Sequence, residues 1–499
     1  MTAEQIAGWD AELSTLTGSL RRLFNRPEPR MVFAQYVEGL LAELPVKNGW
    51  TLSERAGHLT PDRMQWLLNG SVWDADRLRD AVRDYVVAHL GDPEASPVID
   101  DTQAQKKGTK SVGVAFQHCG PTGDVRNCQT MVMLTYAAKA GHAFIDRRLY
   151  LPEEWTGDRE RCREAGVPEN IGFATKPELA VTMLERALAA GVPFGWVLAD
   201  AGYGRDRKLR VFCHERTLPY VLAVPADLPL DGPLGKPRLP AVKRADDLLH
   251  YAKFRDEWER RSLGEGAKGE RLYDWTAFDV TVKDEEPAEG FTHWLVMRRS
   301  LHPNRRGKDG QLHREIAYFL VHAPHDTTLT EIITRAGGRW RIEEDNEINK
   351  QLVGFAQYQV RKWPPLAPSH HHLHARHRLP HRPARRPHPP RTRTWRHLTG
   401  SRHPGKRPGQ RRERDHRLIP GPLLQPSRQS IRHCLAATRL NPRHPVETVL
   451  ACDYWRRLHQ TRATVSHYRR RSDPLPRPLQ AWSTHQPIPP ITDPQDLRL

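Results

Sequence analysis

Between Val360 and Ile419 the chain contains no Val, Ile, Phe, Met or Tyr. No other feature narrows the possible folds so sharply. Residues 364–416, "PPLAPSHHHLHARHRLPHRPARRPHPPRTRTWRHLTGSRHPGKRPGQRRERDH", are mostly Arg, His and Pro. Such a stretch cannot bury enough apolar surface to offset the entropy of ordering it, so disorder is predicted over 364–427. Any large core in the 499 residues must therefore be built before residue 364. Basic amphipathic helices are expected again over 428–471, followed by a Pro-rich tail over 472–499.

The same segment explains much of the charge. Thirteen arginines and Lys406, against Glu413 and Asp415, leave +12 of the net +18 there. An excess of this size suggests a polyanionic partner, nucleic acid before membrane. Six scattered cysteines form no CxxC pair, so neither a disulfide framework nor a zinc ribbon is indicated. The N-terminus lacks a basic and apolar leader pattern, and no apolar run approaches the ~18 residues of a membrane span. A soluble, cytoplasmic chain without a membrane partner is expected.

Texture divides the first 363 residues. Residues 1–92 read as helices at 3.6 periodicity, with Thr60 expected as an N-cap and Gly70 as a stop. This unit is either a DNA-docking helical domain or a plain bundle. Over 93–204 the pattern becomes α/β. "VIDD" reads as a strand, "NCQTMVMLTYAAKAGHAFIDRRLYLP" as a strand pair turning at Ala140–Gly141, "KPELAVTMLERALAAG" as an amphipathic helix, and "WVLADAGYG" as a strand opening into a Gly-rich turn. Residues 205–326 hold four further strand patterns, and 327–363 return to helix. The fold class is therefore α/β with a mixed sheet, split by a β-rich insertion and preceded by helices.

Three acids stand at special places. Asp100 and Asp200 end predicted strands, and Glu343 lies on the later helix, in "RWRIEEDNEINK". Converging carboxylates suit two hard divalent cations, which together promote phosphodiester cleavage or transfer. Taken singly, each Asp also fits an Asx-turn or helix cap, and Glu343 fits a salt-bridged helix face. On a helical wheel Arg339, Glu343 and Lys350 share one narrow face, with Ile348, Leu352 and Phe355 opposite. Glu344, Asp345 and Glu347 read as ordinary solvated positions.

Together, "VIDDTQAQKKGTKSVGVAFQHCGPTGDVRNCQ", "WVLADAGYG", "RWRIEEDNEINK" and "GFAQYQVRKW" resemble the ordered blocks of DDE transposases of bacterial insertion sequences. The closest resemblance is to the IS701 family within the IS4-like superfamily, over residues 22–363 and about 428–471. The resemblance implies an RNase H-like catalytic core and Mg²⁺-dependent cleavage at element ends, followed by strand transfer into target DNA. It implies two Mg²⁺ (or Mn²⁺) ions held by Asp100, Asp200 and Glu343, with Asp101 the alternative first ligand. It places Arg339 and Lys350 at DNA phosphates and makes Lys106, Lys107 and Lys110 candidates for the same role. Double-stranded DNA, a homodimeric synaptic complex and a place at the bacterial nucleoid follow from it.

Two departures stand out. Ala336 occupies the position where the wider superfamily has a Tyr three residues before the Arg. The Arg/His/Pro segment stands where relatives continue with an apolar helical region. It reads either as a frameshift near residue 363, restored between about 417 and 430, or as a basic DNA-binding arm. In the first case the chain could be a relic that binds DNA without cutting. A sequence-specific regulator and a plain RNase H-like nuclease are further possibilities.

Overall fold

The structure is a computed structural model. It describes residues 3–363 apart from 45, 59, 72, 234–241, 250–251, 253–257, 267–268, 307–309 and 359. The segments expected over 364–427, 428–471 and 472–499 lie outside the described residues, and so does the choice between frameshift and arm. The chain divides into two compact units. Of the first, Met1–Glu12 with Leu379–Leu499, only the opening turns of α1 (Ala3–Leu20) are described. The second, Leu13–Arg378, contains all that follows.

Helices come first: α2 (Pro27–Leu41), α3 (Gly49–Arg55), α4 (Asp62–Asn69) and α5 (Ala75–Leu90). Phe24 and Phe33 pack with ring centroids 5.0 Å apart, and Trp73 lies 5.3 Å from Phe24. Thr60 does not cap α4. Pro61 is already right-handed at φ −75°, so the helix starts at Asp62, and the Thr60 hydroxyl donates to the Asp62 carboxylate at 2.8 Å. Gly70 ends the helix as expected.

Next come β1 (Ser96–Gln105), β2 (Ala115–Cys119), β3 (Asp124–Ala138) and β4 (Gly141–Leu149). Long β3 pairs antiparallel with β1 on one side and with β2 and β4 on the other. Its turn into β4 is Lys139–Ala140, one residue earlier than expected. Short helices α6 (Glu153–Thr156) and α7 (Arg159–Glu164) lead to α8 (Lys176–Ala189). Thr175 and Glu178 close a capping box there, which is why α8 begins sharply at "TKPE". Strand β5 (Val197–Ala199) runs parallel to β1; α9 (Ala201–Gly204) and α10 (Arg207–Glu215) return the chain to β6 (Tyr220–Val224), parallel to β5.

Four antiparallel strands followed by two parallel ones, with helices on both faces, give the mixed α/β, RNase H-like plan. The β-rich stretch extends the same sheet. It supplies β7 (Leu230–Pro233), β8 (Glu259–Gly266), β9 (Gly269–Val282), β10 (Phe291–Ser300), the small pair β11 (Arg305–Arg306) and β12 (Leu312–His313), and β13 (Ile316–Pro324). Strand β13 pairs with β6, and the main path runs β2-β3-β1-β5-β6-β13-β10-β9-β7. Helices α11 (Leu329–Gly338) and α12 (Trp340–Leu352) then cross back over the sheet.

Each face of the sheet carries its own core. Ile99, Leu134, Ala199 and Leu222 pack towards Met183 and Leu184 of α8. Val98, Met133, Leu198 and Val296 pack towards Ile332 and Ile333 of α11 and Ile342 of α12. Because both faces are covered, β3 is buried without interruption from Cys128 to Ala138 and reads as an apolar run instead of alternating.

Candidate active site

The strand period of two places Asp100 and Asp101 on opposite faces of β1. Asp100 follows the parity of Val98 and pairs in register with Met133, both in the core under α11 and α12. Asp101 follows Ile99 and Val132, on the α8 side. There it forms an ion pair with Lys176 and accepts a hydrogen bond from Gln103 Nε2 at 2.8 Å. Only Asp100 therefore shares a face with the helix that carries Glu343.

Asp200 comes one residue after the β1–β5 register pair Ile99–Ala199, in line with Asp100. Its Oδ1 caps α9, accepting from Gly202 N at 3.0 Å and Tyr203 N at 3.3 Å. The second glycine of "DAGYG" is sterically required: a Cβ at Gly204 would lie 2.0 Å from Ala223 O of β6. Asp100 Oδ1 accepts the Asp101 amide at 2.7 Å. Each Asp thus keeps one carboxylate oxygen without a hydrogen bond among the described residues.

Burial, with Asp200 and Asp101 nearby, pushes the Asp100 carboxyl up to about 7, against the pull of Arg339. Burial and Asp101 also raise Asp200, again opposed by Arg339. One guanidinium thus acts on both aspartates, and it also forms an ion pair with Glu343. The three carboxylates do not all lie within 4.8 Å of one another; among the described residues only His214, His293 and His322 meet that criterion. Arg339 holds Glu343 in an ion pair. Free oxygens on neighbouring acids and an all-oxygen donor set fit hard divalent cations, and two ions about 3.5–4 Å apart need no single meeting point for three acids. The histidines are a weaker metal site. His322 Nε2 accepts from Ala288 N at 3.1 Å, and His214 Nε2 lies 3.1 Å from the Tyr220 hydroxyl and 3.2 Å from His293 Nε2.

The expected cations are placed differently from one another. Half-buried Lys350 is lowered by burial and raised by Cys119, Asp100 and Asp101, so its ammonium faces the acidic edge. Lys106 is turned inward. It donates to Tyr358 O at 2.9 Å and sits 3.4 Å over the Tyr358 ring, and burial lowers it to about 8. Lys107 and Lys110 are exposed and line a cleft of about 840 Å³ beside α2 to α4.

Two features escape the sequence reading. Asp345 is no solvated position: it is 2% exposed, accepts from Thr135 Oγ1 at 3.1 Å and lies 3.0 Å from His142 Nδ1. Tyr203, 3% exposed, has a buried hydroxyl without a hydrogen-bond partner in the field of Asp101, Asp100 and Asp200. The aromatic inside "AGYG" was its only sequence signal.

An acid-bearing RNase H-like sheet of this kind defines a class, and sequence comparison agrees. The family model described as DDE superfamily endonuclease matches residues 19–279, more than half of the chain, and the chain belongs to that family. It is also 29% identical over 193 residues to a protein of Microchaete diplosiphon named "Probable transposase for insertion sequence element IS701". That match covers 37% of this chain and 46% of the relative, so less than half of the relative's length is spanned. The family match includes Asp100 and Asp200 and stops before Glu343.

Proposed function

We propose that the chain is a transposase that cuts DNA at the ends of an insertion sequence and joins the freed 3′-OH to target DNA. The observation that carries this reading is the pair Asp100 and Asp200, on β1 and just past the end of parallel β5, on the face that α12 covers. Divalent cations, Mg²⁺ or Mn²⁺, held by Asp100, Asp200 and Glu343 would activate the attacking oxygen and stabilise the leaving one. Arg339, released from Glu343 when the acids are engaged, turns to a DNA phosphate, for which its planar fork is suited. Lys350 adds charge at the same edge, and exposed Lys107 and Lys110 hold backbone further out. Two copies, each bound to one terminal repeat, would form the synaptic complex.

The test is cleavage of a duplex carrying the element's own end, with and without Mg²⁺. Asp100→Asn and Glu343→Gln are expected to lower the rate at least ~10³-fold, while Asp101→Asn keeps about a tenth or more. Full cleavage by the Glu343→Gln protein would sink the reading. The composition of 364–416 favours a second reading, a relic that retains end binding: it binds the same duplex and cuts none.

A further inference from the structure

Adjacent arginines on β10 differ in one respect. Arg299 is engaged: it donates to Asp274 Oδ2 at 3.1 Å and lies 4.2 Å over the Trp258 ring. Arg298 makes no hydrogen bond or ion pair among the described residues. Its guanidinium rests over Tyr273 at 4.5 Å and Phe319 at 5.8 Å. It pairs in register with Trp275 and so projects on the face that also carries α11 and α12. On the neighbouring strand Arg271 donates to Leu263 O at 3.0 Å, and its Nε is buried without a partner. Burial acts most on Arg298, followed by Tyr273, Glu315, Arg339 and Glu343, and Glu343 and Glu344 also act on Arg271.

We propose that Arg298, supported by Arg271, is a phosphate-binding position on the β-rich extension of the sheet, holding the DNA backbone beside the carboxylates. The inference rests on the reading of DNA as substrate and deepens it. A half-buried guanidinium that feels Glu315 and Glu343 only at a distance, with no ion pair or hydrogen bond of its own, is best compensated when a ligand supplies the anion. Aromatic walls orient the planar fork while leaving its N–H groups for bidentate contact with phosphate. From β5 to β10 there are three strand spacings, about 14 Å, so Arg298 holds a flanking phosphate and not the scissile one. It is a positioning residue.

The experiment is binding of a fluorescein-labelled duplex of arbitrary sequence by the full chain across a salt series. Arg298→Gln is expected to reduce the magnitude of the slope of log K against log[salt] by about 0.9, and Arg298→Lys to restore it. A folded Arg298→Gln protein with the wild-type slope overturns the proposal. Should Arg298→Gln fail to fold, phenylglyoxal modification of the wild-type chain decides. Arg298 is expected to react in the free protein and to be protected by the duplex, with exposed Arg260 as the unprotected reference; equal reaction with DNA bound overturns the proposal. If the wild-type chain cleaves and Arg298→Gln leaves the slope unchanged, only this inference falls. If the slope changes and nothing is cleaved, the phosphate site stands and the transposase reading falls.

Discussion

Asp100 and Asp101 are neighbours in sequence, but the pleat sends them into different surroundings. One lies in a low-dielectric corner with Asp200; the other meets a lysine. That difference predicts a stability effect opposite to the usual loss on mutation. The folded carboxyl of Asp100, raised to about 7 from an ordinary 3.8, contributes its full stability below the unfolded value. The contribution is lost as pH rises through about 7, when the buried group must ionise. Asp100→Asn should therefore raise the melting temperature of protein in EDTA by about 2–4 °C at pH 8, with little change near pH 4. A scan showing equal shifts at both pH values would refute the account. The acids stood out in the sequence because an apolar run and a Gly-rich turn flank them, but the expectation that Asp100 ends its strand fails: pairing with β3 carries β1 on to Gln105. Arg298 was not: "VMRRS" gives no hint which of two adjacent arginines finds an internal partner.

At the scale of the element, α12 shows why a helical wheel misleads. The wheel set Ile348, Leu352 and Phe355 opposite the Arg339, Glu343 and Lys350 face, yet within the helix Ile348 and Leu352 are only half-buried. The helix in fact buries Ile342, Asp345 and Asn349, a seam three and four residues apart and mostly polar. The seam works because β3 and β4 present Thr135 and His142 to Asp345, and His142 Nε2 also lies 3.2 Å from Glu344 Oε2. Partners from distant strands are invisible to local periodicity, whereas the amphipathic spacing of α8 is local and marked that helix in the sequence. Asp345→Ala removes the buried acceptor of the Thr135 hydroxyl and the carboxylate beside His142 Nδ1 and should cost about 2–4 kcal/mol. Denaturant unfolding that shows a loss below about 0.5 kcal/mol would mean that the seam does not fix α12.

For the whole molecule, strand patterns in 205–326 were readable, but their membership of one sheet was not. Pairing of β13 with β6 joins residues about a hundred positions apart, and sequence carries no register for that. Along this join lies the histidine cluster. Burial and the neighbouring imidazoles push His293 to about 3, and burial with His214 pushes His322 to about 3. The unfolded chain takes up these protons as pH falls through about 6.5, and the folded chain resists until about 3. Stability should therefore fall as pH drops across that window, by up to about 1.4 kcal/mol per pH unit for each histidine. A variant with His293→Gln and His322→Gln should show a flatter decline in melting temperature between pH 6.5 and 4.5. An unchanged decline would place the acid sensitivity elsewhere.

The five-residue join from Tyr318–Val224 to His322–Tyr220 also has a mechanical meaning. Backbone hydrogen bonds run unbroken from the strand bearing Asp100 to the strand bearing Arg298. The two positions therefore sit on one stiff beam, with no pivot between them. A sheet of this span twists in a fixed hand. If the chain holds DNA as proposed, a duplex laid against it follows that curvature itself, which favours easily kinked pyrimidine–purine steps beside the carboxylates even where no side chain reads a base.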